Sequence, residues 1–203
     1  MHEAQLVESC NESAMTMRYF ELFDDVDIAG RWELDDPVDS QGREIEGSWR
    51  FTEGRPVRLH ERLEIPICEQ GKPLDFSLAG FGVPIVSGRV ASVFAELAPE
   101  DVQLILVDIE GQTEPFFMLV CTRVETCIDD ERSGAVRYWK PEDGRPELVG
   151  QYSFVYKVKI DAERAGTARV FRPGGWPVVL IVAEPIKEAL LRMGATGVRF
   201  EEV

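Results

Sequence analysis

Apolar positions recur in the same order at two places in the chain, 96 residues apart. Each begins with a short apolar run, 84–86 or 180–183, and continues with apolar residues spaced i, i+3, i+4 and i+7. That spacing places the apolar side chains on one face of a helix about three turns long. The apolar helix positions are Val90, Val93, Phe94 and Leu97 in the first segment, and Ile186, Ala189, Leu190 and Met193 in the second. The pattern predicts two short amphipathic helices, at about 88–97 and 185–193.

The residues that border these helices agree with the prediction. Ser87 is suited to an N-cap, Pro185 to a first turn, and Gly194 to a left-handed C-terminal stop. Each helix is followed by alternating apolar residues, at 102 and 104 or at 198 and 200, which indicate a strand. We therefore predict a strand-helix-strand unit used twice. Two unrelated amphipathic helices flanked by strands would align equally well, so the repeat remains one of two interpretations.

Further strands are predicted between the two units. Segments 102–109 and 116–120 are nearly continuous apolar runs, typical of central strands covered on both faces. In segment 152–160 the apolar residues Tyr152, Phe154, Tyr156, Val158 and Ile160 alternate with other residues, which predicts a strand with one face in solvent. Segment 168–171 is a short strand candidate before a Pro-Gly-Gly turn. The predicted class is α+β, with mixed or antiparallel sheets and two short helices.

The first part of the chain has weaker patterning. Residues 1–16 are polar and without a period, and we expect a mobile tail there. Residues 17–80 are expected to form a loop-rich N-terminal lobe with short strands, one starting at Arg18 and one ending at Pro66. Residues 81–203 are expected to form the main α+β core.

Composition narrows the classes of function. The chain has 203 residues, 37 acidic and 22 Lys or Arg, for a net charge of −15. Such an acidic chain is not expected to bind nucleic acid, since phosphate neutralisation needs clustered cations. No apolar run approaches the roughly 20 residues of a membrane span, and the N-terminus lacks a secretory pattern. Four scattered cysteines suit a reducing compartment, so we expect a cytoplasmic protein that does not contact a membrane.

No recognisable catalytic, cofactor or metal motif is present. His60 has no partner motif, and Cys121 and Cys127 lack the spacing of a zinc or redox pair. Glycines 80, 82 and 88 precede the first helix, but Ile85 stands where a dinucleotide fingerprint needs its third glycine. We therefore expect a protein that is not an enzyme and uses no cofactor and no metal. The alternative is a small-molecule enzyme with spatially assembled carboxylates and Cys121 or His60.

Acidic clusters and isolated tryptophans are the candidate partner-binding residues. An acidic surface steers association with a basic partner, and aromatics bordered by charges are typical interface anchors. Each feature also has a structural interpretation, as solvated loop charges or as tryptophans that hold a loop to the core. The candidates are Asp24, Asp25, Asp27, Trp32, Asp35, Asp36, Trp49, Asp129, Asp130, Glu131, Trp139 and Trp176.

Four segments resemble a known family. They are Met17-Arg-Tyr-Phe-Glu-Leu22, Gly71-Lys-Pro-Leu-Asp-Phe76, Pro84-Ile-Val-Ser-Gly-Arg89, and Gly194-Ala-Thr-Gly-Val-Arg-Phe-Glu-Glu202. With these segments the chain, from about residue 17 to 203, resembles the predicted immunity proteins that accompany bacterial polymorphic toxins. The resemblance implies binding and silencing of a toxin in the producing cell, without a cofactor. It carries over no functional residue and does not name the toxin.

The resulting expectation is an immunity protein that binds and neutralises a cognate toxin by protein–protein contact, and a basic surface on that toxin would complement the acidic charge of this chain. A non-inhibitory adaptor subunit of a toxin or secretion assembly is the other alternative. Self-association is not predicted either way from the sequence.

Overall fold

The structure is a computed structural model that describes residues 17–203. The predicted tail, residues 1–16, lies outside the described residues. The strands are β1 Tyr19–Asp24, β2 Glu33–Leu34, β3 Leu63–Glu64, β4 Ile67–Glu69, β5 Phe76–Ala79, β6 Val83–Ser87, β7 Val102–Asp108, β8 Phe116–Cys121, β9 Val124–Glu125, β10 Ala135–Tyr138, β11 Tyr152–Tyr156, β12 Val170–Pro173, β13 Ile181–Ala183 and β14 Val198–Glu202. The helices are α1 Gly88–Leu97, α2 Ala162–Ala165 and α3 Glu184–Arg192.

Most strands belong to two five-stranded sheets. The first sheet has the order β3-β7-β8-β6-β5, and the second has the order β14-β1-β13-β12-β9. Within each sheet one edge pair is parallel, β3 with β7 and β12 with β9, and the other pairs are antiparallel. The predicted α+β class with mixed sheets is confirmed.

The two sheets share a topology that makes the 96-residue similarity a structural repeat. In the first sheet, β6 and β7 flank β8 and run antiparallel to it, and α1 connects them. In the second sheet, β13 and β14 flank β1 in the same way, and α3 connects them. Strand β5 adds to β6 as β12 adds to β13. The two sheets therefore repeat one unit, with β1 in the place that β8 holds in the first.

The two helices lie together in a core shared by both sheets. Helices α1 and α3 pack against each other, with Val90 and Phe94 of α1 and Ile186 and Leu190 of α3 all fully buried. These side chains meet apolar residues of β1, β6, β8 and β13. Each large side chain buried there contributes on the order of 2 kcal/mol from the apolar area removed from water. The amphipathic pattern of the sequence thus marks the centre of the molecule.

The outer face of each sheet is covered by an irregular segment. Trp32, Leu34 and Phe51 cover the first sheet, and a second segment between 127 and 168 covers the other. The boundary expected near residue 80 falls inside the β5–β6 hairpin, and β1 pairs with strands from the far end of the chain. Residues 17–80 therefore do not stand apart as a lobe, because their strands complete both sheets.

The predicted central strands differ in burial. Strand β8 is central and its side chains alternate between the two cores, as its continuous apolar run predicts. Strand β7 is less covered, and Leu106 is 39% exposed. The reason is its neighbour β3, which has only two residues paired with β7. Segment 57–65, where a strand ending at Pro66 was predicted, forms a strand only at Leu63–Glu64. At Val57 the side-chain amide of Gln103, and not a neighbouring strand, hydrogen-bonds both backbone polar groups.

The predicted burial of segment 152–160 is inverted in its first half. Val155 is buried, whereas Phe154 and Tyr156 are exposed. Lys157 has a left-handed backbone with φ of +48°, which interrupts the alternation. Val158 and Ile160, beyond that break, return to the core. The strand therefore presents its aromatic residues to solvent.

Local helix signals are confirmed with one change. Pro185 lies in the first turn of α3, and Gly194 follows that helix with φ of +66°. Ser87 is at the N-cap position of α1, but its hydroxyl donates to Asp75 instead of capping the helix. Within residues 17–203, no helix is both long and apolar enough to cross a bilayer.

Candidate functional site

Three of the segments that carry the family resemblance meet at the side chain of Asp75. Arg89 binds both carboxylate oxygens, with Nε and Nη2 at 2.7 and 2.8 Å. The Ser87 hydroxyl donates to Oδ1, and the backbone N–H and hydroxyl of Thr196 both donate to Oδ2 at 2.8 Å. We call Asp75, Ser87, Arg89 and Thr196 the carboxylate clamp. It joins the first repeat to the turn that precedes β14 in the second.

The clamp is a closed structural network. Partial burial of Asp75 opposes ionisation, but the Arg89, Thr196 and Ser87 hydrogen bonds outweigh it and hold the pKa of this carboxyl well below its usual range. Ser87, Arg89 and Thr196 all donate to Asp75, and Arg89 donates in addition to the Gly194 carbonyl oxygen. The clamp lies at one wall of an open cavity of about 700 Å³, with Phe116 and Phe117 on another wall.

A second arrangement is an aromatic surface on the β10–β11 hairpin. This hairpin is a separate two-stranded sheet that extends beyond the two main sheets. Tyr138, Phe154 and Tyr156 are 40%, 36% and 53% exposed. We call the following residues the hairpin surface: Arg137, Tyr138, Trp139, Tyr152, Phe154 and Tyr156.

Side-chain contacts hold these aromatic rings in place. Tyr138 and Tyr152 stack with ring centroids 4.8 Å apart, and both hydroxyls donate to the carboxylate of Asp130. Partial burial, together with the hydrogen bonds to Tyr138 and Asp130, raises the pKa of Tyr152 above its usual value, so it stays a neutral donor. The Arg137 guanidinium lies 4.7 Å from the centre of the Phe154 ring. The rings are therefore ordered before any partner arrives.

The structure places one predicted acidic cluster beside this surface. Asp130 orders the two tyrosines, while Asp129 accepts hydrogen bonds from the backbone N–H groups of Glu131 and Arg132. Glu131 is exposed. Trp139, also predicted, is half-buried on the hairpin, with the Arg145 guanidinium 5.9 Å from its ring. These predicted residues are brought together.

The cluster at 24–27 is engaged within the molecule. Asp24 forms a largely buried ion pair with Arg31, at 2.6 Å, and Asp27 pairs with Arg199 at 2.8 Å. Asp25 accepts a hydrogen bond from the backbone N–H of Asp27. Because two of its three charges have internal partners, this cluster offers less free charge than the sequence suggests.

The remaining candidates divide between core and surface. Trp32 is 1% exposed and donates to the Ser77 hydroxyl, so its prediction as an interface anchor is wrong: it is a core residue. Trp49 is 58% exposed and belongs to a turn that lies against the turn of Phe81. Phe81 is 64% exposed with φ of +56°. We call Trp49 and Phe81 the Trp49–Phe81 surface.

Asp35 and Asp36 lie near that second surface. The Asp36 carboxylate faces Gly80, where any Cβ would clash with it, and its Oδ1 is buried without a hydrogen-bond partner in residues 17–203. Burial raises the pKa of Asp36, and the charges of Asp35 and Glu44 raise it further. Trp176 is half-buried and packs beside Tyr152 in the core under the hairpin.

The candidate residues of the enzyme alternative differ in their exposure to solvent. Cys121 is fully buried, and burial raises the pKa of its thiol to about 11. Cys127 is also buried, with its pKa raised to about 11 for the same reason. Neither thiol is accessible to a substrate, whereas His60 is exposed. The glycine-rich stretch at 80–88 is a turn, a strand and a helix start.

Two sets of residues escaped the sequence analysis. Phe154 and Tyr156 were assigned with Tyr152 to a buried face, and both are exposed in the structure, where the left-handed backbone at Lys157 interrupts the alternation. The clamp residues are ordinary polar residues up to 121 positions apart. Their one signal was that three of the four resemblance segments contain them.

The described part of the molecule therefore combines a duplicated α+β scaffold with exposed aromatic surfaces. A family model described as "Immunity protein family (Imm11)" matches residues 7–203, nearly the whole chain. The chain belongs to the Imm11 immunity protein family. No match was found among curated proteins.

Proposed function

We propose that this protein neutralises a cognate toxin by direct contact through the hairpin surface. One observation carries the proposal: six aromatic or arginine side chains are grouped on a hairpin outside both main sheets. Tyr, Trp and Arg are the residue types that dominate binding energy at protein interfaces. Family membership supports the toxin as the partner.

The ordering of the aromatic rings favours tight binding. Immobilising a side chain at an interface costs about 0.5–1.5 kcal/mol, and ring stacking with hydrogen bonds to Asp130 reduces that cost for two tyrosines. The hairpin also contributes little to the central core, since only Val155 of β11 is buried. The exposed rings of Tyr138, Phe154 and Tyr156 suit a role in recognition.

The net charge of −15 adds a kinetic argument. An acidic protein attracts a basic toxin over distances comparable with the Debye length, about 8–10 Å in physiological salt. Glu131 and Asp129 stand at the edge of the hairpin surface and would orient that encounter. We propose that this takes place in the cytoplasm of the producing cell, with no catalytic step.

Growth of cells that express the toxin tests the proposal. The toxin is identified by its stoichiometric co-purification with the tagged protein from its host, and the two genes are then co-expressed. Wild type should restore growth, and the double variant Phe154→Ala with Tyr156→Ala should not. The matched control Trp49→Ala removes an equally exposed ring from the other surface and should leave rescue intact.

The same comparison separates the alternatives. Loss of rescue in Trp49→Ala but not in the hairpin variant would move the interface to the Trp49–Phe81 surface and contradict the proposal. Binding without rescue by wild type would favour the adaptor. Urea unfolding of each variant verifies that it is folded.

A further inference from the structure

A groove of about 340 Å³ adjoins the hairpin surface, between β11, the turn after β12, and the strands β1 and β14. Its lining includes Tyr156 from the hairpin surface itself, so the groove and the aromatic patch are continuous. Trp176 and the exposed Val178 form an apolar wall. Glu21 and Glu201 supply its acidic groups, and Lys157 lies on its lining.

The two glutamates are direct neighbours on adjacent strands. Glu21 of β1 is paired in register with Glu201 of β14, so both carboxylates project from the same face of the sheet. Like charges directly opposite each other on adjacent strands destabilise a sheet. Within residues 17–203, neither carboxylate takes part in an ion pair or a side-chain hydrogen bond.

Two other carboxylates on β1 and β14 form ion pairs with arginines. Glu202 pairs with Arg18 at 2.7 Å, and Asp24 pairs with Arg31 at 2.6 Å. These two carboxylates thus have ion-pair partners, which Glu21 and Glu201 lack within residues 17–203.

Burial adds to the cost of this pair. It raises the pKa of Glu21, the charge of Glu201 raises it further, and the charge of Arg172 partly opposes both. Arg172 is itself buried and makes no ion pair with Glu21. The ammonium of Lys157 lies 5.6 Å from the centre of the Tyr156 ring and pairs with neither glutamate. A cation that entered the groove would relieve the repulsion at Glu21 and Glu201.

We propose that the groove receives an arginine side chain of the toxin, with its guanidinium between the carboxylates of Glu21 and Glu201. This proposal rests on the proposed function, because the arginine belongs to the protein that the hairpin surface binds. A guanidinium is planar, binds carboxylates through several N–H groups, and stacks on aromatic rings. Tyr156 and Trp176 supply those rings, and Val178 covers the aliphatic stem.

A small probe tests the groove without the toxin. N-acetyl-arginine amide is titrated into the full-length protein and followed by NMR at the Trp176 indole and the Glu21 and Glu201 carboxyl carbons. N-acetyl-citrulline amide, which has the same shape without the charge, is the control ligand. We expect saturable shifts at these three residues with the arginine probe only. Equal shifts with citrulline, or no shifts at the groove, would overturn the proposal.

Matched variants connect the probe to the toxin. Glu201→Gln should abolish the arginine-specific shifts and weaken toxin affinity about tenfold, as expected for loss of one partner of a close charge pair. Glu46→Gln removes an exposed charge that is not part of this groove's lining and should change neither result. Unchanged toxin affinity in Glu201→Gln would refute the arginine site even if the hairpin variants lose rescue. The proposed function would instead be refuted if the hairpin variants still rescue growth while Glu201→Gln loses the probe shifts.

Discussion

Asp75 and Thr196, 121 positions apart in the chain, hold each other through three hydrogen bonds. The Asp75 carboxylate accepts from the backbone N–H and the hydroxyl of Thr196, each at 2.8 Å, and the Thr196 hydroxyl accepts from the Asp75 backbone N–H at 3.0 Å. Arg89, in the first turn of α1, completes the contact and also donates to the Gly194 carbonyl. The two repeats are thus joined where three of the four family-like segments meet.

The clamp should contribute measurably to stability. Asp75→Asn removes the charge that Arg89 and Thr196 bind, and we expect a loss of about 2–4 kcal/mol in the free energy of unfolding. Thr196→Val should cost about 1–2 kcal/mol. The double variant should lose less than the sum, because both substitutions break the same contact. Urea unfolding measures all three, and strictly additive losses would contradict the shared network.

The contribution of Asp75 should depend on pH in one direction. Its pKa is lowered on folding, so the folded state binds fewer protons than the unfolded state as pH falls below about 4. The stabilisation is complete above that pH and declines as the pH falls toward the native pKa. The difference between wild type and Asp75→Asn should therefore be constant from pH 5 to 7 and shrink below pH 4. A stability difference between the two proteins that grows below pH 4 would contradict the lowered pKa of Asp75.

Gly197 should be far more sensitive than glycines in open turns. It has φ of +83°, and a Cβ there would lie 2.1 Å from the Phe76 carbonyl oxygen. Gly197→Ala therefore combines backbone strain with a clash against main chain, and we expect a loss above about 3 kcal/mol. Gly111, with φ of +74° and no atom within 4 Å of a Cβ, is the matched control. Gly111→Ala should cost about 1 kcal/mol, and equal losses would show that the clash is absent.

Thiol reactivity should divide the cysteines by burial. Cys68 is exposed, whereas Cys121 and Cys127 are buried with pKa values raised to about 11. In a Cys10→Ser background, the Cys68 thiol should react rapidly with a disulfide reagent at pH 8. The other two should react more than about a hundredfold more slowly, because both access and thiolate fraction are reduced. Rapid reaction of all three under native conditions would contradict this burial pattern.

Asp130 should control how firmly the hairpin surface is ordered. Asp130→Ala removes the acceptor shared by Tyr138 and Tyr152, so both rings would have to be ordered on binding. We expect toxin dissociation to become about tenfold faster with little change in association. Glu142→Ala removes one acidic charge from the loop of the same hairpin without touching the tyrosines, and it should leave the dissociation rate unchanged. Equal effects of the two variants would indicate that the lost negative charge, and not the order of the two tyrosines, sets the dissociation rate.

Part of the candidate site followed from residue type. Asp129, Asp130, Glu131 and Trp139 were selected as acidic or aromatic loop residues, and the structure gathers them at one hairpin; their role in binding remains a prediction. Trp32 was selected by the same criterion and is buried, because the surroundings of a tryptophan in sequence do not show which face of its loop meets the core.

The local elements followed from residues close in the chain: the two helices, Pro185 and Gly194 at the ends of the second, the strands on either side and the repeated order of the three. These depend on periods of 3.6 and 2 and on residues within one turn of each other. The three-dimensional fold was needed to show that β1 takes the central place in the second sheet, that Tyr156 faces solvent, and that Asp75 meets Thr196. Those outcomes depend on pairing between distant strands and on one left-handed residue, Lys157, and no local period encodes either.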